Sequence, residues 1–311
     1  MSFIRPRIIR PPSEANSYFL PITSGCSNST CTFCNYYYGS KLRIRELGEI
    51  KHEIEALALY TRNGIHLPNV QDIVYAIANQ WDGKRIFFQD ADALIYPFPK
   101  LLEVLKDINY KLPFVERVAT YATAQDILRR SVSELTELKQ LKLGIVYVGL
   151  ESGDDEILKA INKGIDANHI VEAVRRVKEA GIQSSVTVIL GLGGISGSKN
   201  HALETARALS QMDPNYAGAL TLTLVPGAPL HQKWQNGDFK LISPFQSLEE
   251  LATIINNSSF TDCYFTSMHA SNYFSVRGTL SREKERMVAE LKRIIDKGDP
   301  TYLRPEAFRG L

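Results

Sequence analysis

The sequence predicts an α/β fold in which helices cover a parallel sheet. Three observations support this prediction. Short apolar runs typical of strands alternate with segments of helical periodicity. The alternation occurs six times in succession, which favours parallel strands joined by helical crossovers. The strand-like runs end in glycine or polar residues, and the ends of such strands carry the chemistry in α/β barrels.

The predicted elements follow one another in order. Strands are predicted where apolar residues cluster between turn residues, at residues 18–24, 85–89, 116–121, 144–150, 182–190 and 216–224. Helices are predicted where apolar residues recur on one face, at residues 46–60, 69–80, 99–109, 125–141, 169–180 and 200–212. In the first helix the apolar face comprises Ile50, Ile54, Leu57 and Ala58.

The alternation weakens after Pro226. A helix at residues 248–256, a strand at 260–268 and a charged amphipathic helix at 281–297 complete the prediction. We interpret residues 1–230 as the main α/β domain. Residues 231–311 form a C-terminal α/β extension that packs on it.

Composition and charge exclude several classes of protein. The 311 residues are 44% hydrophobic and 23% charged, which is typical of a globular protein. No apolar run reaches the roughly 18–20 residues of a membrane helix, and the basic, proline-rich start does not resemble a secretory signal. The net charge is only +2, so bulk charge does not indicate nucleic acid. We therefore expect a cytoplasmic protein with neither a membrane nor a nucleic-acid partner.

Three of the four cysteines lie within nine residues, at Cys26, Cys31 and Cys34, whereas Cys263 stands alone. The trio follows the first predicted strand, and such clusters are typical of metal or iron–sulfur ligands. Three thiolates would hold three irons of a cubane and leave the fourth iron open. A zinc site with three cysteines and one histidine is the alternative, but the nearest histidine, His52, lies on a predicted helix between charged residues. Accidental clustering is a third interpretation.

The motif Cys26-x4-Cys31-x2-Cys34, with Phe33 before the last cysteine, resembles the cluster loop of the radical S-adenosylmethionine (SAM) superfamily. The usual spacing has one residue fewer between the first two cysteines. The resemblance extends over roughly residues 16–230. It is closest to the branch that contains oxygen-independent coproporphyrinogen oxidases and methylthiotransferases. It implies a partial (β/α)6 TIM-like barrel, a [4Fe-4S] cluster held by the three cysteines, and SAM.

The resemblance also assigns roles at the strand ends. Asp90 and Asp92 stand where relatives receive the SAM amino group, although the usual Gly-Gly-Glu is missing here. Tyr121 and Thr123 match a region that lines the SAM pocket. The next strand ends in Gly149-Leu150-Glu151-Ser152, followed twelve residues after Glu151 by Lys163.

In relatives the residue at the position of Glu151 contacts the ribose hydroxyls of SAM. The basic residue at the position of Lys163 pairs with its carboxylate. Gly191 resembles the backbone contact to adenine, and Leu224 or Val225 would lie against the adenine face. Solvated surface charges and ordinary core strands are the alternatives for these positions.

The implied activity is reductive cleavage of SAM to a 5′-deoxyadenosyl radical that abstracts hydrogen from a small-molecule or peptide substrate. An external one-electron donor of the flavodoxin or ferredoxin type would reduce the cluster. The residues leave open cleavage of a different sulfonium bond with 3-amino-3-carboxypropyl transfer, an iron–sulfur electron carrier or sensor without SAM chemistry, and a zinc-stabilised binding protein.

His269, Asn272 and Tyr273 form a polar and aromatic cluster that we expect to face the substrate.

Overall fold

The structure, a computed structural model, describes residues 3–310. The chain forms two compact units that interleave along the sequence. The first comprises the chain up to Ser29, Ser40–Tyr147 and Arg176–Gln183; the second comprises Thr30–Gly39, Val148–Arg175 and the chain from Ser184 onward. The domain boundary expected at residue 230 stays a prediction.

The first unit is built around parallel strands. Its elements in chain order are β1 (Tyr18–Pro21), β2 (Thr23–Ser24), β3 (Arg43–Ile44), α1 (Leu47–Asn63), α2 (Asp72–Ala78), β4 (Arg85–Gln89), α3 (Phe98–Lys111), β5 (Arg117–Tyr121), α4 (Ala124–Leu128), α5 (Val132–Gln140) and the first part of β6 (Leu143–Glu151). Strand β4 pairs in parallel with β1 and β5, and β5 pairs with β6. Strands β2 and β3 form a separate antiparallel pair. The apolar side chains of β1 and β4 are almost completely buried, as expected for parallel strands covered on both faces.

The second unit continues from β6. Its further elements are α6 (Asp155–Ala160), α7 (Ala167–Glu179), β7 (Gln183–Leu190), α8 (Gly194–Met212), β8 (Tyr216–Thr221), α9 (Pro229–Gln235), α10 (Pro244–Asn257), β9 (Tyr264–Thr266), β10 (Arg277–Thr279) and α11 (Lys284–Lys297); the last residues of α7 and the first residue of β7 belong to the first unit. Strand β8 pairs in parallel with β7 and β9, and β10 runs antiparallel to β9. Because Leu190 is level with Thr221 in the β7–β8 register, the loops that follow these strands leave the same edge of the sheet.

Several predicted boundaries need correction. The helix expected at residues 125–141 is two helices, because Ser131 forms a capping box with Glu134 and starts α5 anew. Helix α8 begins at Gly194, six residues earlier than predicted, because a glycine-rich segment interpreted as loop forms its first turn. The strand expected at 216–224 ends at Thr221.

The first predicted strand is also different, because residues 18–24 divide between β1 and β2. Only three residues of the run at 260–268 form a strand. Among residues 3–310, none of the helices combines the length and apolar character that a membrane crossing requires.

Candidate functional site

In the first unit, Asp90 ties the end of β4 to the start of the cysteine loop. Gly25 directly precedes Cys26 and has φ of +91°, and its N–H donates to Asp90 Oδ2 at 2.5 Å. A Cβ on Gly25 would lie 2.8 Å from the carbonyl oxygen of Lys41. Asp90 is itself buried and has φ of +83°. Residues other than glycine rarely adopt this backbone conformation, and those that do are concentrated at functional sites.

Asp92 lies at the centre of a buried polar group in the same unit. Its Oδ2 accepts hydrogen bonds from Ser27 Oγ at 2.7 Å and Thr123 Oγ1 at 3.1 Å. Burial, together with the hydrogen bond to Asp126, raises the pKa of Asp92 well above its usual range. Burial favours a higher pKa for Asp126 as well, but its hydrogen bonds, first of all the one with Asp92, lower the pKa of Asp126 overall. Of the two carboxyl groups, Asp92 is therefore the one whose ionisation the surroundings oppose.

Asp126 was not predicted as a site residue. The available signal was its spacing from Thr123, which caps α4 by accepting a hydrogen bond from the Asp126 N–H at 3.2 Å. Tyr121, by contrast, packs its ring against Phe87 and Tyr147, with ring centroids 5.3 and 5.8 Å apart. The structure thus brings Asp92 and Thr123 together and places Tyr121 in an aromatic cluster.

In the second unit, Glu151 and Lys163 form an ion pair at the end of β6. Lys163 Nζ donates to Glu151 Oε1 at 2.8 Å, and both side chains are largely buried. Glu151 is the last residue of β6 and has φ of +62°. A Cβ on Gly149 would overlap Glu151 Oε1, so a larger residue there would displace this carboxylate. The backbone is held in an uncommon conformation that aims a carboxylate at a lysine twelve residues away.

Cys31 lies close to this ion pair. Burial raises the pKa of the Cys31 thiol; the positive charge of Lys163 opposes the rise and the negative charge of Glu151 adds to it. Two backbone hydrogen bonds hold the next residue, from the Thr32 N–H to Ile161 at 2.9 Å and from Leu230 to the Thr32 carbonyl at 2.9 Å. Phe33 and Cys34, which follow, are partly exposed.

The donor chemistry of these residues fits an iron–sulfur centre. Thiolates are the ligands that hold such clusters, and the positive charge of Lys163 partly offsets the burial that raises the pKa of the Cys31 thiol. Within residues 3–310, no three His, Cys, Asp or Glu side chains are grouped so as to hold a single metal ion. A cubane differs from such a site because each thiolate binds a different iron.

A second buried network lies behind Gly191, which has φ of +81°. The Gly191 N–H donates to Glu250 Oε2 at 2.7 Å, and His201 Nε2 lies 3.8 Å from the same oxygen. On its other side, His201 Nδ1 is 2.8 Å from Ser152 Oγ, so the predicted residue Ser152 belongs to this network. Burial lowers the pKa of His201 to about 4 and raises that of Glu250 to about 7. Sequence patterns gave no signal for His201 or Glu250.

Gly191 and Leu224 line a cavity of about 340 Å³ in the second unit, together with Tyr273. The other two residues expected to face substrate are placed differently. Asn272 is buried and uses its amide group within the fold, donating to Ala219 and Ser267 and accepting from Thr221 Oγ1. His269 pairs its Nδ1 with Ser271 Oγ at 2.9 Å.

Val225 follows Leu224, and its carbonyl accepts from the Ala228 N–H at 3.1 Å. Thus the structure places Leu224 and Tyr273 on one cavity with Gly191, whereas Asn272 stabilises the end of β8. Roles for His269, Asn272 and Tyr273 toward substrate stay predictions.

Comparison with known proteins identifies the family of this chain. The family described as the radical SAM superfamily matches residues 20–206. A tRNA-2-methylthio-N(6)-dimethylallyladenosine synthase of Treponema denticola is 25% identical over 187 residues, which cover 59% of this chain and 38% of that protein. The uncharacterized protein YtqA of Bacillus subtilis is 27% identical over 177 residues, covering 55% and 53%. The chain spans between about a third and about half of the length of the first curated relatives it matches.

The fold has solved counterparts. Coproporphyrinogen III oxidase from Escherichia coli aligns with a TM-score of 0.53 at 14% identity, covering 77% of this chain and 51% of that one. At this identity the likeness concerns the fold alone. It confirms the predicted fold class, an α/β fold of the TIM-like barrel type.

Proposed function

Since the chain belongs to the radical SAM superfamily, we propose that it cleaves SAM reductively and uses the resulting radical to abstract hydrogen from a small-molecule or peptide substrate. Members of the superfamily are enzymes that use a [4Fe-4S] cluster and SAM, and these are the cofactors of this chain. When bound and reduced, they supply a 5′-deoxyadenosyl radical. The protein contributes binding, orientation and the exclusion of competing reactions.

The observation that carries the proposal is that the side chains of Cys31, Glu151 and Lys163 lie close together in the second unit. A thiol, a carboxylate in a strained conformation and an ammonium group lie together at one strand end. Strain of this kind costs of the order of 1–3 kcal/mol and persists where the surroundings enforce it. This arrangement supports the assignment of a cluster ligand beside two groups that bind the polar parts of SAM.

Each residue then has a defined task. Cys26, Cys31 and Cys34 hold the cluster by one thiolate each. Lys163 pairs with the SAM carboxylate, because an ammonium group is a compact charge suited to it. When SAM binds, Lys163 leaves Glu151 and pairs with the SAM carboxylate. Glu151 then accepts hydrogen bonds from the two ribose hydroxyls.

The remaining contacts come from the other strand ends. Asp90 and Asp92 accept hydrogen bonds from the SAM ammonium group, and ionised carboxylates bind such donors best. The raised pKa of Asp92 opposes its ionisation, and binding of that cation favours the ionised form. Gly191, with Leu224 or Val225, faces the adenine.

The substrate is the least constrained part of the proposal. We infer a small molecule or a peptide, because the net charge of +2 gives no electrostatic reason for nucleic acid. The relative from Treponema denticola is named for a reaction on tRNA, but this chain covers only 38% of it. An external one-electron donor of the flavodoxin or ferredoxin type completes the reaction.

Product analysis tests the proposal. Protein reconstituted anaerobically with iron and sulfide is mixed with SAM and dithionite, and the nucleoside products are separated by liquid chromatography. The proposal predicts reductant-dependent 5′-deoxyadenosine and methionine. Release of 5′-methylthioadenosine instead would indicate 3-amino-3-carboxypropyl transfer, and no SAM-derived product would favour an electron carrier or a zinc protein. Cys34→Ala should abolish the product, whereas the matched control Cys263→Ala should retain it.

A further inference from the structure

The cavity at the ends of β7 and β8 has a defined chemical character. Its volume of about 340 Å³ lies within the range of small-molecule sites. Gly191 and Leu224, which the proposed function places against adenine, form one part of its wall. The cavity is also lined by His231 and Trp234 of α9 and by Tyr273, Glu306 and Arg309 near the end of the described chain.

The charged groups in this wall satisfy one another. Of the described lining residues, Glu306 and Arg309 are the only ones with a carboxylate or a guanidinium group, and no lysine lines the cavity. Arg309 Nη1 lies 2.7 and 2.9 Å from the two carboxylate oxygens of Glu306. The cavity therefore offers a bound group no net charge from this pair.

Arg309 has no donor left for a ligand. Its Nε donates to the Ser271 carbonyl at 2.6 Å, its Nη1 also donates to Tyr273 Oη at 2.5 Å, and its Nη2 donates to the Leu222 carbonyl at 3.0 Å and Thr223 Oγ1 at 3.4 Å. The guanidinium also stacks on the Tyr273 ring at 4.1 Å. All five N–H groups that arginine possesses are thus engaged, and the side chain is only 6% exposed.

Aromatic surface remains available instead. Trp234 is 43% exposed although it is the largest side chain in the wall, and the His231 ring lies 5.6 Å from it. Leucine and isoleucine side chains form much of the remaining lining. An exposed indole next to apolar side chains binds flat, uncharged groups by stacking and burial, whereas an anion would lose its hydration without a partner.

We propose that this cavity is the substrate site and that it takes an uncharged aromatic group, stacked on Trp234, rather than a phosphate-bearing one. The inference rests on the proposed function, because Gly191 and Leu224 connect the cavity to the adenosyl group of SAM. It deepens that function by naming the class of substrate.

Binding of two small probes tests the proposal. Protein reconstituted with the cluster and saturated with SAM, without reductant, is titrated with p-cresol or phenyl phosphate and followed by ligand-observed NMR. We expect p-cresol to bind and phenyl phosphate to bind about tenfold more weakly or worse. Trp234→Ala should weaken p-cresol binding about fivefold, and Trp234→Phe should restore most of it. Tyr110→Ala, which removes an exposed ring in the first unit, is the matched control and should have no effect.

A charge variant makes the test sharper. Glu306→Gln leaves Arg309 uncompensated and should improve phenyl phosphate binding about threefold, a modest gain because Glu306 is 72% exposed. It should leave p-cresol binding unchanged. The proposal is overturned if p-cresol does not bind, if phenyl phosphate binds as tightly, or if Trp234→Ala has no effect. The titration is independent of SAM cleavage, so protein that binds p-cresol through Trp234 but forms no 5′-deoxyadenosine would contradict only the proposed function.

Discussion

Replacing Glu250 with glutamine should change how the stability of the chain depends on pH. Burial raises the pKa of Glu250 from 4.5 to about 7, and the side chain is 2% exposed. Below pH 4.5 the group is protonated in both the folded and the unfolded chain. Between pH 4.5 and 7 the unfolded chain releases the proton while the folded chain retains it, so the free energy of unfolding falls as pH rises.

The magnitude follows from the pKa. At about 1.4 kcal/mol per pKa unit, this carboxyl group removes about 3 kcal/mol of stability between pH 4.5 and pH 7 and above. Glutamine keeps an oxygen that accepts the Gly191 N–H but does not ionise. Glu250→Gln should therefore gain about 2–3 kcal/mol relative to the wild type on going from pH 5 to pH 8. His201, whose pKa burial lowers to about 4, is present in both proteins.

Urea unfolding followed by circular dichroism at pH 5, 6, 7 and 8 measures this difference. Glu249→Gln, which changes an exposed neighbour on α10, is the control and should show a flat difference. If the difference between Glu250→Gln and wild type stays constant within about 0.5 kcal/mol from pH 5 to 8, Glu250 does not bind its proton in the folded chain and the reasoning is refuted.

Three further predictions concern ligands and stability. Lys163→Met should weaken SAM binding about tenfold or more through loss of a charged partner, measured by equilibrium dialysis; equal affinity would exclude a contact with the SAM carboxylate. Asn272→Ala should lower the free energy of unfolding by about 2–4 kcal/mol, because three buried hydrogen bonds are lost, whereas a change below about 0.5 kcal/mol in urea unfolding would contradict a structural role. Cys34→Ala should lose most reconstituted iron and sulfide and Cys263→Ala should lose none; equal loss would point to misfolding.

Strand positions were predictable where burial alone decides them. Residues 85–89 were predicted as a strand, and β4 has the same bounds, because a continuous apolar run between turn residues has few alternatives. Boundaries set by single side chains were not predictable in the same way. The break between α4 and α5 depends on Ser131 capping a new helix, whereas hydropathy continues through it.

The residues of the site also include some that the sequence predicted and some that it did not. Glu151 and Lys163 were predicted together from the resemblance to the radical SAM superfamily, and the structure brings them within hydrogen-bond distance. His201 and Glu250 could not be found, because they lie 49 residues apart and each looks like an ordinary polar residue of a helix. Only tertiary packing, which removes both from water, gives them their shifted pKa values. Asn272 was predicted to face substrate from its polar and aromatic neighbours in sequence, and tertiary packing gives its amide group three hydrogen bonds within the fold.

The spectrum of the reduced cluster shows whether SAM binds to the iron that the three cysteines leave open. Protein reconstituted anaerobically and reduced with dithionite is examined by electron paramagnetic resonance with and without SAM, using methionine as a control ligand. If three cysteines leave one iron open to SAM, the signal changes on addition of SAM and Lys163→Met weakens that change. A cluster signal that is identical with and without saturating SAM would contradict the account.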